Sequence, residues 1–486
     1  MLIDDIYALL GGDKNPDCGV SYGLSTGNQW EELLDTPHLW GHDPKVFDYK
    51  PTAINLVDAI KGLVASAQHS VDISTLTPLP DGLFFDAIRE GIQAAAEQGR
   101  SIVVRILQGV FYPVSAPYID PLPPMLQFLS DLHIPDNIPV YVGAMQSAYT
   151  SWNHSKLVIV DGKRAICGGH NLWTGTYCDY APVHDVSIQL SGPAIAVAQR
   201  FLDRQWTVLA KHSRTKDHSK WYWSRLQLNG KLYLNALPCI LSAPPEAEGA
   251  TRVLALARMG AQLVPPSPSA NASRTARIAA AKLAKDHIRI SQQMLGGSLM
   301  GHFDADFMQA LFQHVADRKK LSIIVSDKGA STGSGVPYSG AGVQETARHI
   351  ANGVSKINGM QGKELAEFLA QYVAVGPVRM YDRQAGDLPA ESWKWRRKSK
   401  LLNKIEPANH AKVYIIDDEA FYVGSDNAYA APYNEQGLQE FGFMVSGKQE
   451  TASFLKKYWA KFWEYSEQFQ FTDWQQFAEL SQGEQA

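Results

Sequence analysis

Residues 151–171 read SWNHSKLVIVDGKRAICGGHN, and residues 407–427 read PANHAKVYIIDDEAFYVGSDN. Each stretch holds a histidine, then a lysine and then an aspartate at one fixed spacing: His154, Lys156 and Asp161, and again His410, Lys412 and Asp417. Each then reaches a Gly-x-x-Asn, from Gly168 to Asn171 and from Gly424 to Asn427. Chance would produce this string about 10⁻⁴ times per chain. Two copies mark a repeat.

The runs LVIVD and VYIID are short, apolar and β-branched, so each motif is read onto a buried strand. Side chains alternate along a strand, so His154 shares a face with Lys156, and His410 with Lys412. Asp161 and Asp417 lie an odd number of residues from these groups and point to the other face. They are read as structural anchors at the strand ends.

The repeat extends outward. VDISTLTP from Val71 is followed by a helical pattern, DAIREGIQAAAEQGR, and then by SIVVRIL. IRISQQM from Ile288 is followed by DADFMQALFQHVADRKK and LSIIVSD. Beyond the motifs come DVSIQLSG from Asp185 and EFGFMVSG from Glu440, then FLDRQW from Phe201 and FLKKYW from Phe454. The order strand, helix, strand, motif, strand, helix occurs twice. We therefore expect an α/β fold of two related domains, each a mixed sheet flanked by helices, over residues 1–240 and 274–486. Between them, 241–273 is rich in Pro, Ala and Ser and reads as a linker with one short strand at TRVLALA. The Gly-rich stretch 327–343 lacks the Gly-Lys-Ser/Thr ending of a P-loop and reads as a surface loop or lid.

Bringing the halves together would place two imidazoles, two ammonium groups and two carboxamides around one pocket. Lys156, Lys412, Asn171 and Asn427 suit a phosphodiester and the extra charge of its pentacoordinate transition state. The histidines suit divided labour, one attacking phosphorus and the other protonating the leaving oxygen. One must start neutral and the other protonated, so their surroundings must differ. Asp185 and Glu440, at equivalent places in the repeat, are candidates to orient the rings. Gly169 and Ser425 are read as tight-turn residues that let backbone approach the phosphate. His170 and Asp426 receive no role, and His184 reads as a bystander.

Composition narrows the class. The 486 residues are 45% hydrophobic and 19% charged, enough for a well-buried core. Lys+Arg 45 against Asp+Glu 49 gives a net charge of −4, without the basic surplus of a general nucleic-acid binder. No apolar run approaches the roughly 20 residues of a membrane span, and no signal peptide is read at the N-terminus. Cys18, Cys167, Cys178 and Cys239 lack CxxC spacing, which argues against a zinc site; Cys167 and Cys178 could pair, and buried free thiols are the favoured reading.

At its two motifs and their Gly-rich Asn segments the sequence resembles the phospholipase D superfamily, most closely the secreted bacterial phospholipases D. The likeness runs from LLDTPHLWG through VDISTLTPLPDG and SWNHSKLVIVDG to the ISQQ block and the second motif. It implies pseudo-twofold symmetry with the active site between the halves. It also implies metal- and cofactor-independent cleavage of the distal phosphodiester bond of a glycerophospholipid, with water or a primary alcohol as acceptor. By the same likeness His154 is the nucleophile that becomes a phosphohistidine, and His410 is the general acid and later the base. A monomer working at a membrane or micelle surface is expected, without nucleic acid. Secretion is implied, with a cytoplasmic or exported-effector location as the alternative. The loop ESWKWRRKSKLLNK at 391–404 departs from those relatives; Trp393, Trp395, Arg396 and Arg397 in it suit a lipid–water interface. Rival readings are a nuclease of the superfamily and a phosphatidyltransferase-type synthase.

Overall fold

The structure, a computed structural model, describes residues 1–38, 40, 50–110, 121–135, 137–148, 151–179, 183–212, 223–228, 231–232, 240, 245–261, 263–297, 301–327, 330, 341–380, 408–430 and 437–480. The basic-aromatic loop 391–404, most of 327–343 and Cys239 lie outside the described residues.

The apolar runs around each motif become strands. The first half contributes β1 (Tyr22–Thr36), β2 (Ser70–Leu76), β3 (Val103–Gly109), β4 (Val140–Ala148), β5 (Ser151–Trp152), β6 (Leu157–Val160), β7 (Arg164–Gly168), β8 (Val183–Ser191), β9 (Trp223–Leu228) and β10 (Lys231–Leu232). The second contributes β12 (His287–Gln292), β13 (Lys320–Val325), β14 (Val373–Pro377), β15 (Ala408–Asn409), β16 (Lys412–Ile416), β17 (Ala420–Gly424) and β18 (Gln439–Ser446), preceded by β11 (Thr251–Met259).

Both halves order their strands alike: β8-β7-β6-β2-β3-β4 in one and β18-β17-β16-β12-β13-β14 in the other. In each, the motif strand is antiparallel to its neighbours and the last three strands run parallel. Those parallel pairs need crossovers, which the helices supply. The helix Gly82–Glu97 shows the local logic: Phe84, Ile88, Ile92 and Ala95 recur at helical spacing and are all buried. Full burial of each large apolar side chain contributes about 1.5–3 kcal/mol.

Strand β1 ties the halves together. Tyr22–Asn28 pairs with β11, and Gln29–Thr36 pairs with β8. β11 pairs on its other edge with β18. The stretch read as a linker thus carries a buried strand at the centre of the molecule, because its prolines flank Thr251–Met259 rather than interrupt it. Helices Lys50–Ala65, Gly82–Glu97 and Leu122–Leu132 cover the outer face of the first sheet. Helices Ala272–Leu283, Ala305–Ala316, Gly342–Asn358 and Gly362–Tyr372 cover that of the second. The inner faces share one core, built with Ile195–His212 and with Phe454, Tyr458 and Phe462. Cys167 and Cys178 are buried in these cores, Cys167 as a free thiol, and Cys18 is free and half-buried. Among the described residues no helix is long and apolar enough to cross a membrane.

Two short cross-connections decide where the motifs meet. β15, just before His410, pairs in parallel with β8, matching Asn409 to His184. In the other half, Asn153 forms the matching bridge to Gln439. Each motif histidine is thereby delivered to the strand of the opposite half that carries an acid.

Candidate active site

The two histidines are held by backbone bonds of the same kind. His154 N–H donates to the Gln439 carbonyl at 2.8 Å, and His410 N–H donates to the His184 carbonyl at 2.7 Å. The next residue on each strand is the acid. His154 Nδ1 lies 2.8 Å from Glu440 Oε1, and His410 Nδ1 lies 2.7 Å from Asp185 Oδ2. The pairs are crossed: each imidazole takes its carboxylate from the other half. With Nδ1 engaged in this way, Nε2 is the nitrogen left for substrate.

Lys156 and Lys412 each donate from Nζ to the carbonyl of the histidine two residues earlier. Both lysines are buried, and the two imidazoles and two ammonium groups feel one another's charge across the pocket. Asn171 and Asn427 are buried as well, each with a side-chain oxygen that has no hydrogen-bond partner among the described residues. Asp161 and Asp417 stand away from this cluster. Asp161 accepts the N–H groups of Gln68, His69 and Ser70, and Asp417 those of Lys285, Asp286 and His287. Both adopt a left-handed backbone, with φ of 55° and 52°, a region aspartate tolerates better than most residues. Each pins the start of β2 or β12 to the end of its motif strand.

Gly169 and Ser425 occupy matching places, each with its N–H bonded to the strand that carries the acid. Their side chains serve different ends. A Cβ added at Gly169 would overlap the Asp185 carboxylate, so only glycine leaves room for that acid. Ser425 Oγ instead donates to Glu440 Oε2 at 2.6 Å.

Burial dominates the proton affinities. It lowers His154 well below the ordinary imidazole range, with Lys156 and Lys412 adding to the effect. It lowers His410 to about 4, opposed by Asp185. Lys156 is brought down to about 7 and Lys412 to about 8, again by burial. The acids diverge. Burial raises Glu440 to about 8 against the pull of Lys156. Asp185 is just as buried, yet His410, His170 and Lys412 overcome that penalty and hold it well below the usual carboxylate range. Asp185 is thus the firmly charged acid. A pocket of buried bases with paired ammonium groups favours an anionic guest, whose charge restores their protons.

No protein-family model matches the chain. A phospholipase D from Streptomyces antibioticus is 30% identical to it, over 90% of this chain and 81% of that protein. The chain belongs to the phospholipase D superfamily. Cardiolipin synthase A of Pseudomonas putida strain GB-1 matches a shorter stretch, 33% identical over 89 residues. Among solved structures, the phosphatidylserine synthase of Haemophilus influenzae Rd KW20 superimposes with a TM-score of 0.53, covering 93% of this chain and 89% of that one. At 11% identity that likeness shows the shared fold. This phospholipase D superfamily member is an enzyme of the phosphodiesterase and phosphatidyltransferase class that modifies phospholipids.

The candidate site also contains residues to which the sequence alone assigned no role. Tyr177 Oη lies 3.0 Å from Asp185 Oδ2 and 3.3 Å from His410 Nδ1. Asn153 and Asn409 precede the two histidines and lock them through Ser74 and Ser291, at 2.9 and 3.0 Å. Their signal was present: Asn-His occurs in both copies. His170, without a role in the sequence reading, is held between Thr36 Oγ1 and Ser187 Oγ, both at 2.8 Å. Asp426, in the matching place, accepts from Arg258 at 3.1 Å, Ser273 at 2.6 Å and Arg277 at 3.2 Å. Arg277 also donates to the Asn427 carbonyl at 3.1 Å. Charge therefore fastens the second Asn turn from behind.

Proposed function

We propose that this enzyme hydrolyses the distal phosphodiester bond of glycerophospholipids such as phosphatidylcholine, releasing phosphatidic acid and the head-group alcohol. The observation that carries the reading is the crossed and unequal pairing of the two histidines with Glu440 and Asp185. His154 attacks phosphorus through Nε2 and forms a phosphohistidine. His410, supported by ionised Asp185, gives its Nε2 proton to the leaving oxygen. It then takes a proton from water, whose oxygen attacks phosphorus and frees His154. Lys156, Lys412, Asn171 and Asn427 bind the non-bridging oxygens and their growing charge.

The name of the Streptomyces relative supports the hydrolytic reading. A second reading, phosphatidyl transfer to an alcohol as the main reaction, draws support from the cardiolipin synthase match. The chemistry is shared, since a primary alcohol at the place of water gives a new phospholipid. The test is release of choline and phosphatidic acid from phosphatidylcholine micelles, with and without glycerol or ethanol. Hydrolysis in water is expected, and inert phosphatidylcholine beside active DNA cleavage would overturn the reading. His154→Ala is expected to lower turnover by about 10⁴-fold and to abolish trapping of a labelled phosphoenzyme. A labelled intermediate on that variant would show that the histidine roles are wrong.

A further inference from the structure

His184 takes no part in the steps above, yet both its backbone and its ring bear on His410. Its carbonyl accepts the His410 N–H at 2.7 Å. Its buried imidazole is gripped from two sides, with Nδ1 3.0 Å from the Thr36 carbonyl and Nε2 3.0 Å from Tyr458 Oη. The ring stacks on Tyr458, with centroids 5.7 Å apart and planes at 12°. The Tyr458 hydroxyl also lies 2.9 Å from Ser291 Oγ. Ser291 accepts Asn409 Nδ2 at 3.0 Å, and Asn409 Oδ1 accepts the Ala411 N–H at 3.0 Å. The path therefore closes on the two residues that flank His410.

The other half lacks this device. By the repeat, Gln439 stands at the place of His184, Gln205 at that of Tyr458, Ser74 at that of Ser291 and Ser155 at that of Ala411. Gln439 sends its side chain to Ser147 and Ser151, at 2.8 and 2.9 Å. Ser74 Oγ finds the hydroxyl of Ser155 at 2.7 Å. Ala411 has no hydroxyl to offer Ser291, and Tyr458 supplies one from a π-helical turn, Leu455–Trp459. Such turns insert one residue and often serve a local need. The imidazole–phenol pair thus stands on one side of a site whose paired histidines, lysines and asparagines are matched.

We propose that His184 and Tyr458 are positioning residues for His410, aiming its Nε2 proton at the leaving oxygen. The proposal rests on the reading of His410 as the general acid. A misaimed acid hurts substrates whose leaving group needs a proton and spares those whose leaving group departs as a stable anion. A loosened core slows both alike.

The experiment compares the first-turnover burst on phosphatidylcholine with that on phosphatidyl-p-nitrophenol for Tyr458→Phe, His184→Gln and the control His410→Ala, with Tm measured for each. Tyr458→Phe removes one oxygen and keeps the packing; His184→Gln installs the residue used in the other half. Each is expected to slow choline release by about tenfold while nitrophenol release stays within about twofold. His410→Ala is expected to show the same selectivity more strongly, about 10²-fold or more. Equal slowing on both substrates by Tyr458→Phe, or no slowing on either, would overturn the proposal. Loss of selectivity in His410→Ala itself would instead overturn the reading of His410 as the acid.

Discussion

The two histidine–carboxylate pairs are built on the same plan, but they sit in different fields. Beside Asp185 stands His170, which adds to the pull that lowers the acid, although burial brings His170 itself down to about 4. At the matching place beside Glu440 stands Asp426, whose charge helps to hold that acid protonated. Ser425 bonds Glu440, whereas Gly169 clears space for Asp185. The candidate catalytic histidines and lysines repeat faithfully, and the residues just behind them do not. Two equal imidazoles would compete for one role, so the proposed division of labour rests on these unequal surroundings.

The comparison can be broken most directly at the acids. Asp185→Asn removes a firmly charged partner and is expected to lower kcat for choline release by about 10³-fold, approaching the loss when an acid that orients a catalytic histidine becomes an amide. Glu440→Gln mimics the protonated form that the site already favours, so about tenfold is expected. Equal losses would show that the two pairs are equivalent in function.

A second difference lies deeper in the sheets. Asp72 on β2 is paired in register with Arg105 on β3, and Arg105 also meets Asp203 at 2.7 Å, all of them buried. The matching register pair in the second half is Arg289 and Ser322, and Arg289 reaches the exposed Asp418 instead. Arg105→Ala leaves two buried carboxylates without their cation and is expected to cost about 3–5 kcal/mol in denaturant unfolding. Arg289→Ala is expected to cost less than about 1 kcal/mol. Similar losses would mean that the ion triad does not distinguish the halves.

The pH dependence tests the shared pocket. The lysines are cationic below their values of about 7 and about 8 and neutral above them. Glu440 is neutral below about 8 and anionic above it. Raising the pH through this window therefore removes positive charge and adds negative charge. Affinity of the His154→Ala variant for an unreactive phosphodiester is expected to fall about tenfold between pH 6 and pH 9, read by calorimetry. A flat or rising profile would contradict it. The smallest effect is expected from chelation. Both site acids are committed to imidazoles, so dialysis against EDTA should leave kcat unchanged. Inhibition reversed by a divalent cation would contradict that expectation.

Much of this enzyme was legible in the linear chain. The paired motifs announced a duplicated α/β fold, because alternation and spacing are local properties that survive in a string of letters. The succession of strands and helices along the chain around each motif followed from the same repeat. The buried role of Thr251–Met259 did not, since flanking prolines look the same around a tether and around a central strand. His170, Asp426 and His184 had no visible role for a related reason: their partners are Thr36, Arg258 and Tyr458, far away in sequence.

By itself, the sequence determined the chemical groups: two histidines, two lysines, two asparagines and two acids, at spacings that fix which share a strand face. Only the tertiary structure decided which acid serves which histidine. Glu440 reaches back 286 residues to His154, and Asp185 reaches forward 225 to His410. Such a crossing depends on how two sheets meet, and β1, β8, β15 and β18 settle that through long-range hydrogen bonds. The unequal proton affinities depend on it too, because burial and neighbouring charge act through space.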